Sequence, residues 1–292
     1  MHHIRVGQLS RKLVTVITPC LNAAETIDAT LNSVARLAAN LATHDATIEH
    51  LILDGGSTDS TLEKALRHAD QYPFCTVKEG IAGGIYRAMN VGLSHAKGHF
   101  THILNADDYI LDSDSYLSLV CEGFNQKALV LLGGIAYFCR PSSGIKRVWQ
   151  VHPLPGDRNI WREQLRSGLH YPHPGFIAQT EIYRQQGFDE RYSLSADYKL
   201  MQSLLLCPDL ATRVNASSGY IVAMAEGGAT GGLRAILRGS QQIAAINREL
   251  GISESLWRRY SCKLWARLQP LHSSAMVGAQ LYPPAATDED RF

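Results

Sequence analysis

The chain has 292 residues, of which 45% are hydrophobic and 19% are charged. This composition is that of a globular protein and excludes the disordered, collagen-like and coiled-coil classes. The net charge is only +1, which excludes electrostatic binding of nucleic acid by the chain as a whole. Its six cysteines are far apart and form no CxxC pair, a pattern that favours reduced thiols in a cytoplasm.

The sequence predicts neither a membrane-spanning helix nor a signal peptide. The longest apolar run, 128–139, has about 12 residues, whereas roughly 20 are needed to cross a bilayer. The first 13 residues lack the apolar stretch of a signal peptide. We therefore expect a cytoplasmic protein.

Strands and helices alternate through the first 108 residues. Residues 13–18 are rich in β-branched side chains and stop before Pro19, which is typical of a buried parallel strand. Residues 25–41 carry apolar side chains three or four apart, which predicts an amphipathic helix. The elements predicted next are strands at 48–53, 76–78 and 99–104, and helices at 61–69 and 85–96. This order predicts an α/β fold built on a parallel sheet.

The alternation weakens in the second part of the chain. A predicted helix at 116–124 precedes a buried strand at 128–139, and a loop-rich stretch follows. We interpret residues 1–232 as one domain with two halves, about 13–110 and about 111–232. Residues 233–292 are interpreted as a basic helical tail.

Polar loops follow the predicted strands, at the sheet edge where open α/β sheets bind ligands. Asp107 and Asp108 follow strand 99–104, and crowded carboxylates are costly unless a cation or hydrogen bonds hold them. Mg²⁺ and Mn²⁺ take such oxygen ligands. The alternative is that these aspartates belong to a turn that caps the next helix.

The loop 54–59 also follows a predicted strand. It either approaches a ligand through its glycines or only connects a strand to a helix. It matches neither the dinucleotide GxGxxG motif nor a P-loop.

Several motifs together resemble the family 2 glycosyltransferases of the GT-A fold. The nucleotide-sugar half is carried by VTVITPCLNAAETIDATLNSV, LILDGGSTDSTLE and GIYRAMNVGLSHAKGHFTHILNADDY. The later HPGFIAQTEIYRQQGFDERYSLSADYKL and AEGGATGG are similar to the branch that builds bacterial exopolysaccharides such as colanic acid and lipopolysaccharide O-chains. The resemblance implies a Rossmann-like, mostly parallel central sheet flanked by helices, with the acceptor bound by the second half.

The resemblance also implies a nucleoside-diphosphate sugar as donor. It places Asp54 at the base, and Asp107 with Asp108 on the Mg²⁺ or Mn²⁺ that holds the diphosphate. Ala82 and Gly83 depart from the Asp-Lys or Asp-Asn of relatives, so the donor sugar stays open. The remaining positions that match nucleotide-sugar binding are Thr18, Pro19, Asn22, Glu25, Ser57, Asp59, Gly84, Tyr86, Asn90, Asn105 and Ala106.

For catalysis, the resemblance implies that Asp197 is the base and that His173 contacts the diphosphate, the metal or the acceptor. An inverting transfer needs one carboxylate to take the acceptor's proton while a metal neutralises the leaving diphosphate. From the residues alone, Asp197 is interpreted instead as a negative charge that the dipole at a helix N-terminus stabilises. His173 is interpreted as a loop residue. Residues 226–230 match a glycine motif that closes over the nucleotide-sugar.

The predicted tail is basic, with seven basic and two acidic residues in 233–272. Its aromatic side chains share a helical face with leucines, which indicates either docking on an anionic membrane surface or packing against the domain.

The function predicted is inverting, metal-dependent transfer of a sugar to a saccharide or polyprenyl-linked acceptor in bacterial surface polysaccharide synthesis, on the inner face of the cytoplasmic membrane. One alternative is a nucleotidyltransferase that forms sugar nucleotides, although 18–24 lack the glycine and basic residues of its phosphate loop. The other is a non-catalytic relative that binds a nucleotide-sugar.

Overall fold

The computed structural model describes residues 12–139, 144–152, 154–225 and 233–253. In the first half, strands and helices alternate as the sequence predicts. The elements are β1 (Lys12–Cys20), α1 (Ile27–Ala42), β2 (Thr47–Asp54), α2 (Thr61–Gln71), β3 (Cys75–Lys78), α3 (Ile85–His95) and β4 (Phe100–Ile103). The strands lie in the order β3-β2-β1-β4, and each neighbouring pair is parallel.

Burial explains this half of the fold. The apolar side chains of β1 are fully buried on both faces, as expected for a central parallel strand covered by helices. Helix α1 buries the five positions that give the sequence its helical period: Ile27, Leu31, Val34, Leu37 and Leu41. It begins two residues later than the start of the predicted segment at Glu25.

In the second half the sheet becomes mixed. Its elements are β5 (Tyr109–Ile110), α4 (Ser113–Asn125), β6 (Val130–Phe138), β7 (Ile145–Trp149), α5 (Arg158–Arg166), β8 (Phe176–Gln179), α6 (Thr180–Gln186), α7 (Ala196–Leu206), α8 (Pro208–Ala211), β9 (Val214–Ala225) and α9 (Leu233–Leu250). The sheet continues from β4 as β8-β6-β9-β5, with β7 paired to β6. Strand β8 is antiparallel to both β4 and β6, whereas β6 and β9 are parallel.

The two faces of the sheet carry separate cores. One face packs against α3, α5 and α7, and fully buries the Trp161 side chain; the other packs against α1 and α4. The predicted helix at 116–124 is longer than expected because the Asp112 side chain accepts hydrogen bonds from the Asp114 and Ser115 amides and starts α4 at Ser113. The predicted strand at 128–139 is β6, and all of its residues are buried.

The start of the predicted tail is α9, which packs against α7. Tyr198 donates a 2.7 Å hydrogen bond to Asn247, and Lys199 forms a 2.7 Å ion pair with Glu249. Arg238 and Arg248 are exposed. The aromatic and basic residues beyond 253 lie outside the described residues, and the division at residue 232 stays a prediction. None of the described helices has the length and apolar character needed to cross a bilayer.

Candidate active site

The loops that follow β1, β2 and β4 meet at one edge of the sheet, because these neighbouring strands run parallel. In the register of β1 and β2, Pro19 lies opposite Leu53 and Cys20 lies opposite Asp54. Thr18 is fully buried, and its Oγ1 lies 2.9 Å from His50 Nε2. Its hydroxyl therefore faces the protein interior. We call loops 18–25, 54–59 and 105–108 the loop edge.

The first two loops are fastened to each other. The Asn22 amide donates to Ser57 Oγ over 3.0 Å, and the Thr58 amide donates to Asn22 Oδ1 over 2.9 Å. Asn22 holds a left-handed backbone conformation, with φ of 49°, which asparagine tolerates better than most residues. Glu25 is exposed at the start of the turn into α1. The two predicted nucleotide loops therefore form one hydrogen-bonded unit.

Two aspartates stiffen this unit. Asp54 is buried, and its Oδ2 accepts hydrogen bonds from the Gly56 and Ser57 amides at 2.9 and 3.0 Å. Asp59 accepts bonds from the Ala24 and Thr61 amides and from the Thr61 hydroxyl. The hydroxyl bond is the main reason that the pKa of the Asp59 carboxyl is lowered.

The third loop holds the acidic motif. Thr26 and Thr30 of the α1 region donate to the carbonyls of Ala106 and Asp108 at 2.7 and 2.6 Å, and so fix the turn. The Asp108 carboxylate is buried and accepts a 3.1 Å bond from the Ala225 amide at the end of β9. Asp107 is half-buried. Of the two predicted metal ligands, Asp107 is therefore the one nearer to solvent.

The side-chain oxygen of Asn105 differs from the other polar atoms of this loop. This Oδ1 is buried and has no hydrogen-bond partner within the described ranges. Buried polar atoms are normally paired. An oxygen left open beside a carboxylate is the chemistry that a hard divalent cation takes.

Asp197 lies in the first turn of α7 and contacts α3. The Tyr86 hydroxyl donates a 2.9 Å hydrogen bond to Asp197 Oδ1. Burial and the neighbouring carboxylate raise the pKa of Tyr86, which keeps its hydroxyl protonated as a donor. The contact joins two residues that are 111 positions apart in the chain.

Several aromatic side chains lie near this carboxylate. The Tyr86 and Tyr183 rings each stack on Phe188, with centroids 5.6 and 6.2 Å apart, and His173 meets Phe188 edge-on at 6.2 Å. In the described chain, His173 Nε2 and the Tyr183 hydroxyl are buried without hydrogen-bond partners. We call Tyr86, His173, Tyr183, Phe188 and Asp197 the aromatic cluster.

Burial makes the cluster electrostatically sensitive. It lowers the pKa of His173, against the opposing effect of the Asp197 carboxylate, and it raises the pKa of Tyr183 with the help of the same carboxylate. Both side chains are therefore held neutral beside Asp197. A neutral imidazole and a phenol can each donate or accept a hydrogen bond.

The turn 173–175 that carries His173 is fixed by the sheet. His102 Nε2 in β4 lies 2.9 Å from the Pro174 carbonyl. A Cβ on Gly175 would overlap the Gly133 carbonyl oxygen of β6, so this turn needs glycine to approach the strand. Burial lowers the pKa of His102 to about 4, so the ring is neutral at pH 7. Neither His102 nor Tyr183 is among the site residues predicted from the sequence.

Two predicted donor-site residues, Asn90 and Gly84, have structural roles at the two ends of this region. Asn90 donates to the Phe188 carbonyl and accepts from the Phe188 amide, at 2.9 and 2.8 Å, and it also donates to Glu190. Its amide thus braces the loop that carries Phe188. Gly84 has φ of 96° and precedes α3, a conformation that favours glycine. The predicted closing motif at 226–230 lies outside the described residues.

The model of the family described as glycosyl transferase family 2 matches residues 15–191. This chain belongs to that family. The match covers the loop edge together with Tyr86, His173, Tyr183 and Phe188, and stops six residues before Asp197. The family predicted from the motifs is confirmed.

Curated relatives extend the likeness. A PGL/p-HBAD biosynthesis glycosyltransferase of Mycobacterium bovis is 32% identical over 108 residues, which are 37% of this chain and 40% of that protein. The chondroitin synthase of Pasteurella multocida is 26% identical over 66% of this chain and 19% of its own length. The matched part of this chain thus spans less than half of either relative.

Solved structures show the fold. S. aureus TarS 1-349 in complex with UDP-GlcNAc superposes with a TM-score of 0.60, at 19% identity, over 80% of this chain and 65% of that one. The mannosyltransferase PcManGT from Pyrobaculum calidifontis, in complex with GDP-Man and Mn²⁺, gives 0.56 at 18% identity over 82% and 65%. The predicted GT-A fold, a sheet flanked by helices, is confirmed.

Proposed function

We propose that this protein transfers a sugar from a nucleoside-diphosphate sugar to a hydroxyl of a saccharide or lipid-linked saccharide, with inversion at the anomeric carbon. The observation that carries the proposal is the continuity of the site. The Ile81 amide donates to the Asp54 carbonyl over 2.9 Å, the loop 80–84 then leads into α3, and Tyr86 of α3 bonds Asp197. These contacts connect the predicted nucleotide loops with the predicted base.

Asp197 acts as the base in this proposal. Its carboxylate takes the proton of the acceptor hydroxyl while that oxygen bonds to the anomeric carbon. The bond from this carbon to the diphosphate breaks, and its electron pair leaves with the nucleoside diphosphate. Because Tyr86 engages Oδ1, Oδ2 is the oxygen that we expect to receive the proton. The stacked rings beside it would exclude water from the attacking position.

Asp107 and Asn105 are the residues that would hold a divalent cation. Both residues lie in the loop after β4. The Asn105 Oδ1, which has no hydrogen-bond partner in the described part of the chain, and the half-buried Asp107 fit Mg²⁺ or Mn²⁺. When bound, the cation supplies positive charge that offsets the diphosphate. Asp108 contributes by fixing the turn through the Ala225 amide. The Mn²⁺ in the PcManGT complex supports this choice of ion class.

The acceptor belongs, in this proposal, to bacterial surface polysaccharide synthesis. Support comes from the relatives, which include a chondroitin synthase and a hyaluronan synthase of Pasteurella multocida.

Helix α9 exposes an apolar and a basic side chain at consecutive positions. These are Leu237, which is 56% exposed, and Arg238. We propose that the basic segment 233–272, to which these two residues belong, meets anionic lipid on the cytoplasmic leaflet. Sedimentation with anionic and zwitterionic vesicles tests this: Arg238→Ser should weaken binding to anionic vesicles only, and equal sedimentation with both would contradict it.

Nucleotide binding tests the donor class. Isothermal titration with UDP, GDP, CDP and dTDP, each with and without Mn²⁺, should give one tight ligand that requires the metal. Asp107→Ala should abolish this metal-dependent binding. Asp70→Ala, which removes an exposed carboxylate from α2, should leave it unchanged. Failure of the folded protein to bind any of the four nucleotides would overturn the proposal.

A further inference from the structure

Two histidines and a cysteine lie together near β2 and β3, at the outer side of the parallel half. The proposed transfer uses none of these side chains. His50 is in the middle of β2, and Cys75 at the start of β3 is its register partner. His68 lies in the last turn of α2. All three are buried, and one ligand atom from each lies within 4.8 Å of the other two. No second group of this kind occurs in the described chain.

The fold brings these residues together for simple reasons. Parallel pairing of β2 and β3 sets His50 beside Cys75 on the same face of the sheet. Helix α2 buries Thr61, Ala65 and His68, which are spaced four and three apart. That spacing turns His68 toward the strands.

The distance between His50 and Cys75 suits two ligands of a tetrahedral metal ion. His50 Nδ1 lies 3.8 Å from Cys75 Sγ. Bond lengths to Zn²⁺ of about 2.3 Å for sulfur and about 2.0 Å for nitrogen put two such ligands roughly 3.5 Å apart at the tetrahedral angle. The alternative to a metal ion is a weak S–H···N hydrogen bond between Cys75 and His50. This bond does not explain His68 Nε2, which is buried and has no hydrogen-bond partner in the described residues.

We propose that His50, His68 and Cys75 bind one Zn²⁺ ion. Imidazole and thiolate are ligands that favour Zn²⁺ over Mg²⁺ or Mn²⁺, so this site is chemically distinct from the oxygen ligands at Asn105 and Asp107. Burial raises the pKa of the Cys75 thiol to about 12. The thiol is therefore protonated in the metal-free protein, and formation of the sulfur–zinc bond releases its proton to solvent.

The ion would also couple the outer strands to the loop edge. His50 Nε2 lies 2.9 Å from the Thr18 hydroxyl. With Nδ1 on the metal, Nε2 carries the proton and donates it to Thr18, as the second nitrogen of a metal-bound histidine usually does. Binding would thereby join α2, β2 and β3 to the end of β1.

Cobalt substitution tests the site on the full-length protein after treatment with a chelator. Co²⁺ should give visible bands of tetrahedral Co²⁺ together with a near-ultraviolet thiolate-to-cobalt band. Added Zn²⁺ should abolish both, whereas excess Mg²⁺ should not. Cys75→Ala should lose the thiolate band, and His68→Leu should weaken Co²⁺ binding at least tenfold.

Two variants separate this site from other cysteines and from the proposed active site. Cys121→Ala, which removes a buried thiol from α4, should keep the thiolate band, and so should Asp107→Ala. Thermal unfolding gives a second readout, because a ligand of the native state raises the midpoint. Zn²⁺ should raise it for the wild type and not for Cys75→Ala. Absence of a thiolate band in the folded wild type, or its persistence in Cys75→Ala, would overturn the proposal.

Discussion

Loops 18–25 and 54–59 of the loop edge differ from the aromatic cluster in how their polar side chains are satisfied. At the loop edge, Asn22, Asp54 and Asp59 are all engaged by backbone amides of the same loops. In the aromatic cluster, His173 Nε2 and the Tyr183 hydroxyl are buried without partners among the described residues. Loops 18–25 and 54–59 are therefore shaped by their own hydrogen bonds, whereas the aromatic cluster holds buried polar atoms that make no hydrogen bond within the described residues.

This difference predicts separable effects. Substitutions in loops 18–25 and 54–59 should lower stability and nucleotide affinity together, because the same bonds serve both. Substitutions at Asp197 and Tyr86 should lower transfer while nucleotide affinity stays the same. A variant of either kind with the opposite behaviour would break the comparison.

The largest effect is expected at Asp197. Asp197→Asn keeps the shape of the side chain and removes the base, so kcat should fall by about 10²- to 10⁴-fold, with nucleotide affinity unchanged. Transfer assays with a matched donor and acceptor measure this. Asp209→Asn, which alters an exposed carboxylate on α8, serves as the control. An Asp197→Asn enzyme that keeps more than a tenth of the wild-type rate would remove Asp197 from the mechanism.

At the loop edge, Asp54→Ala should have the next largest effect. It removes the oxygen that accepts two amides at 2.9 and 3.0 Å and leaves those donors unpaired. The free energy of unfolding should fall by about 2 kcal/mol, and nucleotide affinity should fall with it. Urea unfolding and isothermal titration on the same preparation measure both quantities. Loss of affinity at full stability would show that Asp54 acts on the nucleotide alone.

The sequence is most informative where local signals decide the structure. The apolar spacing in 25–41 predicts the buried face of α1, and the polar loops after 18, 54 and 104 predict the loop edge. In contrast, β8 is only four residues long and pairs with β4 and β6, which come from distant parts of the chain. No local period shows such a pairing.

The same reasoning applies to single site residues. The Asp108 carboxylate points inward because it accepts a hydrogen bond from the Ala225 amide, which is 117 positions away in the chain. Asn90 braces the Phe188 loop 98 positions away. The contact of Tyr183 with the cluster depends on how α6 packs against α3. A sequence motif gives the residue type at each position, but only long-range packing decides which side chains are occupied and which stay open.

Acid should weaken the junction between the two regions, because His102 anchors the turn of His173 to β4. The pKa of His102 is lowered by burial from 6.5 to about 4. Between pH 6.5 and pH 4, His102 is protonated in the unfolded chain but neutral in the folded protein. The contribution of this histidine to the free energy of unfolding is therefore complete above pH 6.5 and falls as the pH is lowered. The loss from this group should reach about 2 kcal/mol at pH 5.

Urea unfolding at pH 7.5 and pH 5 measures this loss. For His102→Gln the decline between the two values should be smaller by about 2 kcal/mol. His44→Gln, at an exposed position after α1, should decline as the wild type does. Equal declines for all three proteins would show that His102 does not resist protonation.

The smallest effect is expected for Tyr86→Phe, and it sharpens the comparison most. The change removes only the hydroxyl that donates to Asp197 and keeps the ring stacked on Phe188. One hydrogen bond to a charged group is worth about 1.5 kcal/mol, so kcat should fall roughly tenfold while KM for the donor stays within twofold. A matched control is Tyr171→Phe, which removes a buried hydroxyl bonded to Trp161 and should cost stability without changing kcat. If both variants lowered kcat equally, the role of Tyr86 would be general packing. A loss confined to Tyr86→Phe would identify it as the residue that positions the base.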